Sequence, residues 1–157
     1  MAVSYLTREG YKKLKGDLKN LKKQKGIVSL EIGEAREKGD LKENAEYHAA
    51  KEKLGELMGR IARIEEQLAG VRMIEDIKIK KNEVQIGVKV TLKEKETDDE
   101  FQWTLVGAAE SDPASGRISV DAPLAQGILG HKVGEEVKVD LPAGSSTFKI
   151  IKTEPAV

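Results

Sequence analysis

Apolar residues in the first half of the chain recur at Tyr11, Leu14, Leu18 and Leu21, then at Val28, Ile32 and Ala35. The steps alternate three and four, which is the seam of a heptad coiled coil. Lys25 interrupts the series, and its aliphatic stem can still cover the seam. A second series, Tyr47, Ala50, Leu54, Leu57, Ile61, Ile64, Leu68 and Val71, repeats the alternation without a break.

The two series are in register head to tail. Ala35 with Tyr47, Ile32 with Ala50, Val28 with Leu54, Lys25 with Leu57, Leu21 with Ile61, Leu18 with Ile64, Leu14 with Leu68 and Tyr11 with Val71 all share one midpoint, Leu41. The pattern therefore predicts an antiparallel helical hairpin that reverses inside "GDLKEN". Each arm has about 25 residues, so the packed length is about 37 Å at 1.5 Å per residue. Thr7 is the expected N-cap of the first helix, with Leu6 and Tyr11 as a hydrophobic staple. Gly39 suits the end of the first helix and Gly70 lies near the end of the second seam. Gly16, Gly26, Gly33, Gly55 and Gly59 fall inside the helices, each at a cost of about 1 kcal/mol relative to Ala. The pattern supplies no reason for them.

After Ile74 the period changes. "VQIGVKVTLKEKE" alternates like a strand, "FQWTLVG" reads as a second and "RISV" as a short third. Asp121 is the expected N-cap of a short helix with Pro123 in its first turn and Gly130 at its end. "EEVKVDL" and "STFKIIKTE" are strands around a "PAGS" turn. A sheet packed on one short helix is a small α+β domain. The expected organisation is a hairpin over residues 1–75, with its tip at 39–44, and an α+β domain over 80–157. The boundary is expected between Asp76 and Glu83.

Composition narrows the class. Basic and acidic residues balance at 27 each, and 34% of the 157 residues are charged, which fits exposed helix around a modest core. There is no cysteine, hence no disulfide framework or thiolate metal site. "MAVSYLTREG" lacks the apolar core of a signal peptide, and no apolar run approaches the roughly 20 residues that span a bilayer. A cytoplasmic protein without membrane attachment is the expectation. Charge is uneven along the chain. Residues 1–75 carry 16 basic and 13 acidic side chains, and eight basic residues fall between Arg8 and Lys25. Such a run is ordinarily a solvated helix face, and less often a surface for nucleic acid or an acidic protein.

Several chemistries are excluded. His48 and His131 fall on different expected domains, and no Gly-x-Ser-x-Gly elbow, P-loop or dinucleotide motif occurs. Zinc has no ligand set. What remains is the tip. Asp40 and Glu43 are three residues apart and share a face if the turn is helical. Carboxylates suit Mg²⁺, which keeps several waters and takes one or two protein carboxylates. Asp-x-x-Glu is equally a capping box, with Asp40 capping the second helix and Glu43 reaching back. On the residues alone both readings stand. Arg36, Lys38, Lys42 and Lys51 surround the tip, a basic collar suited to phosphate. Two exposed carboxylates do not hold Mg²⁺ by themselves, so a partner would have to complete the site.

"AREKGDLKENAEYHAAKEKLGELMGRI", Ala35 to Ile61, closely resembles the tip of the bacterial transcript-cleavage (transcription elongation) factors of the GreA/GreB family. "YLTREGYKKLKGDLKNL" resembles the family's N-terminus, and "ISVDAPLAQGILGHKVGEEV" its C-terminal segment. The resemblance covers nearly the whole chain. It implies an antiparallel coiled coil followed by an FKBP-like α+β domain. It implies binding to the bacterial RNA polymerase elongation complex, with the coiled coil in the secondary channel and the tip stimulating the polymerase's own cleavage of backtracked RNA. The chain would then not be an enzyme by itself.

Carried over by position, Asp40 and Glu43 would act in the polymerase active site and share a Mg²⁺ there. The isolated protein would need no cofactor. Arg36 and Lys51 match the basic patch near the nascent RNA 3′ end. Asp121, Ala122, Pro123 and Leu124 match the segment by which the second domain docks on the polymerase. The family often has Arg where this chain has Lys51, and Ser-Pro where it has Asp-Ala-Pro. A monomer is expected, since each seam has an internal partner. Rival readings are a passive adaptor or channel-blocking inhibitor, and a prolyl isomerase, whose apolar pocket would have to be built from Phe101, Trp103 and Phe148.

Overall fold

A computed structural model describes residues 3–39 and 44–156. The contacts divide the chain into two units. One comprises the chain up to Gly10 and from Gly70 onward; the other is Tyr11–Ala69. The segment that ends at Gly10, with the first turn of the first helix, thus groups with the C-terminal half.

The hairpin consists of α1 (Arg8–Glu37, 30 residues) and α2 (Ala45–Leu68, 24 residues), about 45 Å and 36 Å long at the standard rise. Thr7 caps α1 as its sequence position predicts: the Thr7 hydroxyl accepts the Gly10 N–H at 3.0 Å. Val28 and Ala35 of α1 and Tyr47, Ala50, Leu57 and Ile61 of α2 are buried, and all lie on the two seams. Val28, Ala50 and Leu57 form a small core, with Leu21, Ile32 and Leu54 packed against it. Ile32 with Ala50, and Val28 with Leu54, are pairs that the shared midpoint places in one layer. Burial of each such aliphatic side chain contributes about 1.5–3 kcal/mol. Lys25 is exposed, so the seam is thin at that layer.

The second seam ends earlier than its pattern. α2 stops at Leu68, and the C-cap Ala69 turns to extended backbone while its N–H still reaches the Glu65 carbonyl at 3.0 Å. Gly70 follows at φ +63°, in the left-handed region that favours glycine. Val71, expected to complete a helical layer with Tyr11, is instead the first residue of a strand.

That strand, β2 (Val71–Met73), pairs in parallel with β1 (Ser4–Leu6), Ser4 opposite Val71 and Leu6 opposite Met73. Leu6 and Ile74 are fully buried behind this ribbon. Gly107 lies against β1: a Cβ there would stand 2.0 Å from the Tyr5 carbonyl oxygen, so only glycine permits the approach.

The main sheet contains β3 (Val88–Glu94), β4 (Glu100–Val106), β5 (Arg117–Ser119), β6 (Glu136–Leu141) and β7 (Gly144–Pro155), in the spatial order β5-β4-β3-β7-β6. β5 runs parallel to β4 and the other pairs are antiparallel. Val88, Val90 and Leu92 alternate inward on β3 and are buried, with Leu105, Val139, Phe148 and Ile150 beside them. One short helix, α3 (Pro123–Ile128), adds Ala125 and Ile128 to this core. A Cβ on Gly127 would meet Val139 Cγ1 at 2.7 Å, which shows how closely α3 lies on β6. This is the α+β unit expected from the pattern.

Two local expectations are corrected here. The first strand of this unit begins at Val88 and not near Val84, because Gly87 takes φ +86° and breaks the alternation. Val84 is nevertheless buried, its N–H donating to the His131 carbonyl at 2.9 Å. The N-cap of α3 is Ala122, with no side-chain cap, and not Asp121. Pro123 opens the helix and brings no N–H of its own, which leaves less for a cap to satisfy.

Candidate functional site at the end of the hairpin

Asp40 and Glu43 lie outside the described residues, as does Lys42. The residues that flank them on both helices are described. Asn44 is the N-cap of α2: its Oδ1 accepts the Tyr47 N–H at 3.1 Å. Its Nδ2 donates to the Ala35 carbonyl of α1. A single amide therefore caps one helix and satisfies a carbonyl in the last turn of the other. The cap expected at Asp40 belongs to Asn44. With Tyr47 three residues on, no glutamate closes a capping box there.

Tyr47 stands in the first turn of α2 and is buried in the seam, the residue being 8% exposed. Two cations meet it from different helices. The Arg36 guanidinium, in the last turn of α1, lies 5.7 Å from the ring centroid, and the Lys51 ammonium, one turn along α2, lies 5.4 Å away. The Tyr47 phenol is held below its usual pKa of 10.0. The main cause is the Arg36 guanidinium near the phenol; the charge of Lys51 acts in the same direction and burial opposes both. Arg36 and Lys51 are themselves exposed. Across the same end, Lys38 pairs with Glu46 at 3.2 Å, both well exposed, a contact worth at most about 1 kcal/mol. The His48 ring meets Tyr47 edge-on at 5.5 Å.

The expected docking segment is on the other unit. Asp121 and Pro123 are exposed at the start of α3, whereas Ala122 and Leu124 are partly buried against the core. The Asp121 N–H donates to Ser119 Oγ at 3.1 Å, and Gln126 Nε2 donates to the Val120 carbonyl at 2.6 Å, which fixes the approach to the helix. Phe101 and Phe148 meet edge-on at 6.5 Å, and with Trp103 they pack in or on the core of the sheet. No helix among the described residues is long and apolar enough to cross a membrane. Among the same residues no group of three or more His, Cys, Asp or Glu could hold a metal ion.

Comparison with known proteins gives the family. A model of the GreA/GreB transcription elongation factors' N-terminal region matches residues 4–73, and a model of their C-terminal region matches residues 79–155. Transcription elongation factor GreA of Phenylobacterium zucineum is 42% identical over 150 residues, which span 95% of this chain and 96% of that protein. The chain belongs to the GreA/GreB family of transcription elongation factors. A second GreA, from Helicobacter hepaticus, is 42% identical over 153 residues, 97% of this chain and 94% of its own. Among solved structures, GreA factor homolog 1 of Thermus thermophilus is 22% identical, covers 98% of this chain and 99% of its own, and superposes with a TM-score of 0.46.

The apolar pattern of this GreA/GreB chain marks Tyr47 as a seam residue and gives Asn44 no role. The signal for Tyr47 was present: an aromatic at i−4 from Lys51, and opposite Ala35 in the paired register, is within reach of Arg36. Asn44 carried the ordinary N-cap preference and was masked by the Asp-x-x-Glu pattern four residues earlier.

Proposed function

We propose that this chain binds bacterial RNA polymerase, that the hairpin enters the secondary channel, and that its tip stimulates the polymerase's own cleavage of backtracked nascent RNA. Membership of the GreA/GreB family supports this reading. The observation that carries it is the convergence of Arg36 and Lys51, from two helices, beside the "GDLKEN" reversal that holds Asp40 and Glu43. Exposed cations near a pair of carboxylates suit a place where a phosphodiester and a metal meet.

The donor chemistry of Asp40 and Glu43 fits Mg²⁺. Both are hard oxygen ligands, and this ion takes only one or two protein carboxylates in such sites. Two carboxylates do not hold it alone, so the remaining ligands come from the polymerase. The ion, when bound there, supplies charge stabilisation and an acidified water for phosphodiester hydrolysis. The chain contributes position. Asp40 and Glu43 present oxygens at the hairpin end, Arg36 and Lys51 hold the RNA 3′ end by its phosphates, and Asp121, Ala122, Pro123 and Leu124 dock the second unit on the polymerase. The chain has no hydrolytic activity of its own in this account.

The test is Asp40→Asn with Glu43→Gln on backtracked elongation complexes. Folding and polymerase binding should persist while cleavage falls by more than about tenfold, roughly 1.4 kcal/mol in the barrier. Unchanged cleavage would refute the metal role of the pair. Loss of polymerase binding in these near-isosteric variants would instead mark them as docking residues of an adaptor.

A further inference from the structure

Tyr47 meets both cations of the site. We infer that Tyr47 is a positioning residue: it sets the Arg36 guanidinium of α1 and the Lys51 ammonium of α2 at one spacing, so that they receive the RNA 3′ end as a pair. The inference rests on the cleavage-stimulating reading and deepens it. The exposed ends of Arg36 and Lys51 have long, flexible stems, and each loses up to about 2 kcal/mol of rotamer freedom when fixed. A buried ring at 5.7 Å from one and 5.4 Å from the other supplies an anchor that costs no charge of opposite sign. A carboxylate in that place would neutralise the pair and repel a phosphate; a phenol holds two cations and leaves them positive. The ring is itself fixed by the seam, and its backbone N–H is held by Asn44, so the geometry does not depend on the cations. The lowered Tyr47 pKa is consistent with the same contacts.

The proposal predicts dependence, not merely loss. Tyr47→Phe removes the phenol oxygen whose pKa Arg36 lowers, and Tyr47→Leu removes the ring as well. In a transcript-cleavage assay Tyr47→Phe should lower the maximal rate by about three- to tenfold and Tyr47→Leu by more. The concentration for half-maximal effect should stay the same. In an Arg36→Ala/Lys51→Ala background neither change should alter the residual rate by more than about twofold, because a residue that acts through others is silent without them. A polymerase-free readout accompanies the assay. With Tyr5→Phe and Tyr11→Phe leaving Tyr47 as the sole tyrosine, its phenol should ionise below the ordinary range. Arg36→Ala should return it upward.

Three outcomes overturn parts of this. If Arg36→Ala/Lys51→Ala cleaves as well as the unmodified chain, the basic pair has no such role, and positioning fails with it. If the pair matters but Tyr47→Phe and Tyr47→Leu act equally in both backgrounds, or not at all, positioning alone fails. If Tyr47 titrates normally, the contact does not exist in solution. Should Tyr47→Leu not fold, Tyr47→Phe carries the test, since it keeps the ring in the seam.

Discussion

Asn44 and Ala35 are joined across the reversal of the hairpin, the Asn44 Nδ2 donating to the Ala35 carbonyl while Asn44 Oδ1 caps α2. The bond links the two helices directly, so the end of the hairpin is braced from both sides. Asn44→Ala should destabilise the hairpin by about 1–2 kcal/mol, from a lost cap and an orphaned carbonyl together. Asn44→Asp keeps the cap but loses the donor, and should fall between. Urea unfolding followed by helical circular dichroism measures both. Equal stability of all three proteins would show that the bridge contributes nothing.

The contact between Gly107 and β1 makes a sharper prediction. An added Cβ meets backbone at 2.0 Å, and backbone cannot rotate away as a side chain can. Gly107→Ala should cost more than about 2 kcal/mol and should loosen the β1–β2 ribbon first. Hydrogen exchange at Leu6 and Arg72 would report it. Normal protection at both amides would contradict the prediction.

The glycines inside the helices behave in the opposite way. At Gly16, Gly26, Gly33, Gly55 and Gly59 an added Cβ meets nothing within 4 Å. Within the described contacts, none is needed for packing. Gly33→Ala and Gly55→Ala should each raise stability by about 0.5–1 kcal/mol. Thermal melts of the two single variants are sufficient to check this, and a lowered midpoint in either would reveal a contact that the hairpin's own packing lacks.

Glu135 should contribute to acid sensitivity. Its carboxylate accepts the Lys132 N–H at 2.8 Å and meets His131 Nδ1 at 2.9 Å. The backbone bond first, and His131 second, hold its pKa below 4.5. A carboxyl whose folded pKa is depressed stabilises the fold above its unfolded pKa, and this is lost as pH falls through the folded value. Glu135→Gln should therefore lower the melting temperature in the neutral region, where the carboxylate stabilises, and flatten its decline as pH falls from the unfolded pKa to the folded one. A decline as steep as in the unmodified chain would refute the linkage.

Legibility in the sequence tracked the range of the determining contacts. The hairpin register could be read because a heptad seam repeats over many turns, and each error is averaged away by the next layer. Val28, Ala50 and Leu57 are buried where the pattern places them. The strands of the second unit were legible for the same reason, through the alternation of Val88, Val90 and Leu92. β1 leaves no mark in the pattern, because three residues show no period and their partner is near residue 71. The same pairing draws Val71 into a strand, so α2 ends before its seam does. At the tip, Asp-x-x-Glu outweighed Asn44, since a motif in sequence cannot show which of two neighbouring caps the backbone selects. Asp40 and Glu43 stand out only through their family pattern and lie outside the described residues; the Tyr47 contacts depend on the reach of side chains across two helices.

The parallel pairing of Ser4 with Val71 makes the hairpin an insert whose entry and exit are hydrogen-bonded neighbours. The chain leaves one small domain and returns to the adjacent strand, so the length of the excursion is not fixed by the domain that carries it. Matched removal of seven residues from each arm would keep the seam, the ribbon and the reversal, and would shorten the reach by about 10 Å. The length of the excursion can therefore be changed in steps, by editing the middle of each arm while the paired strands at its entry and exit stay as they are.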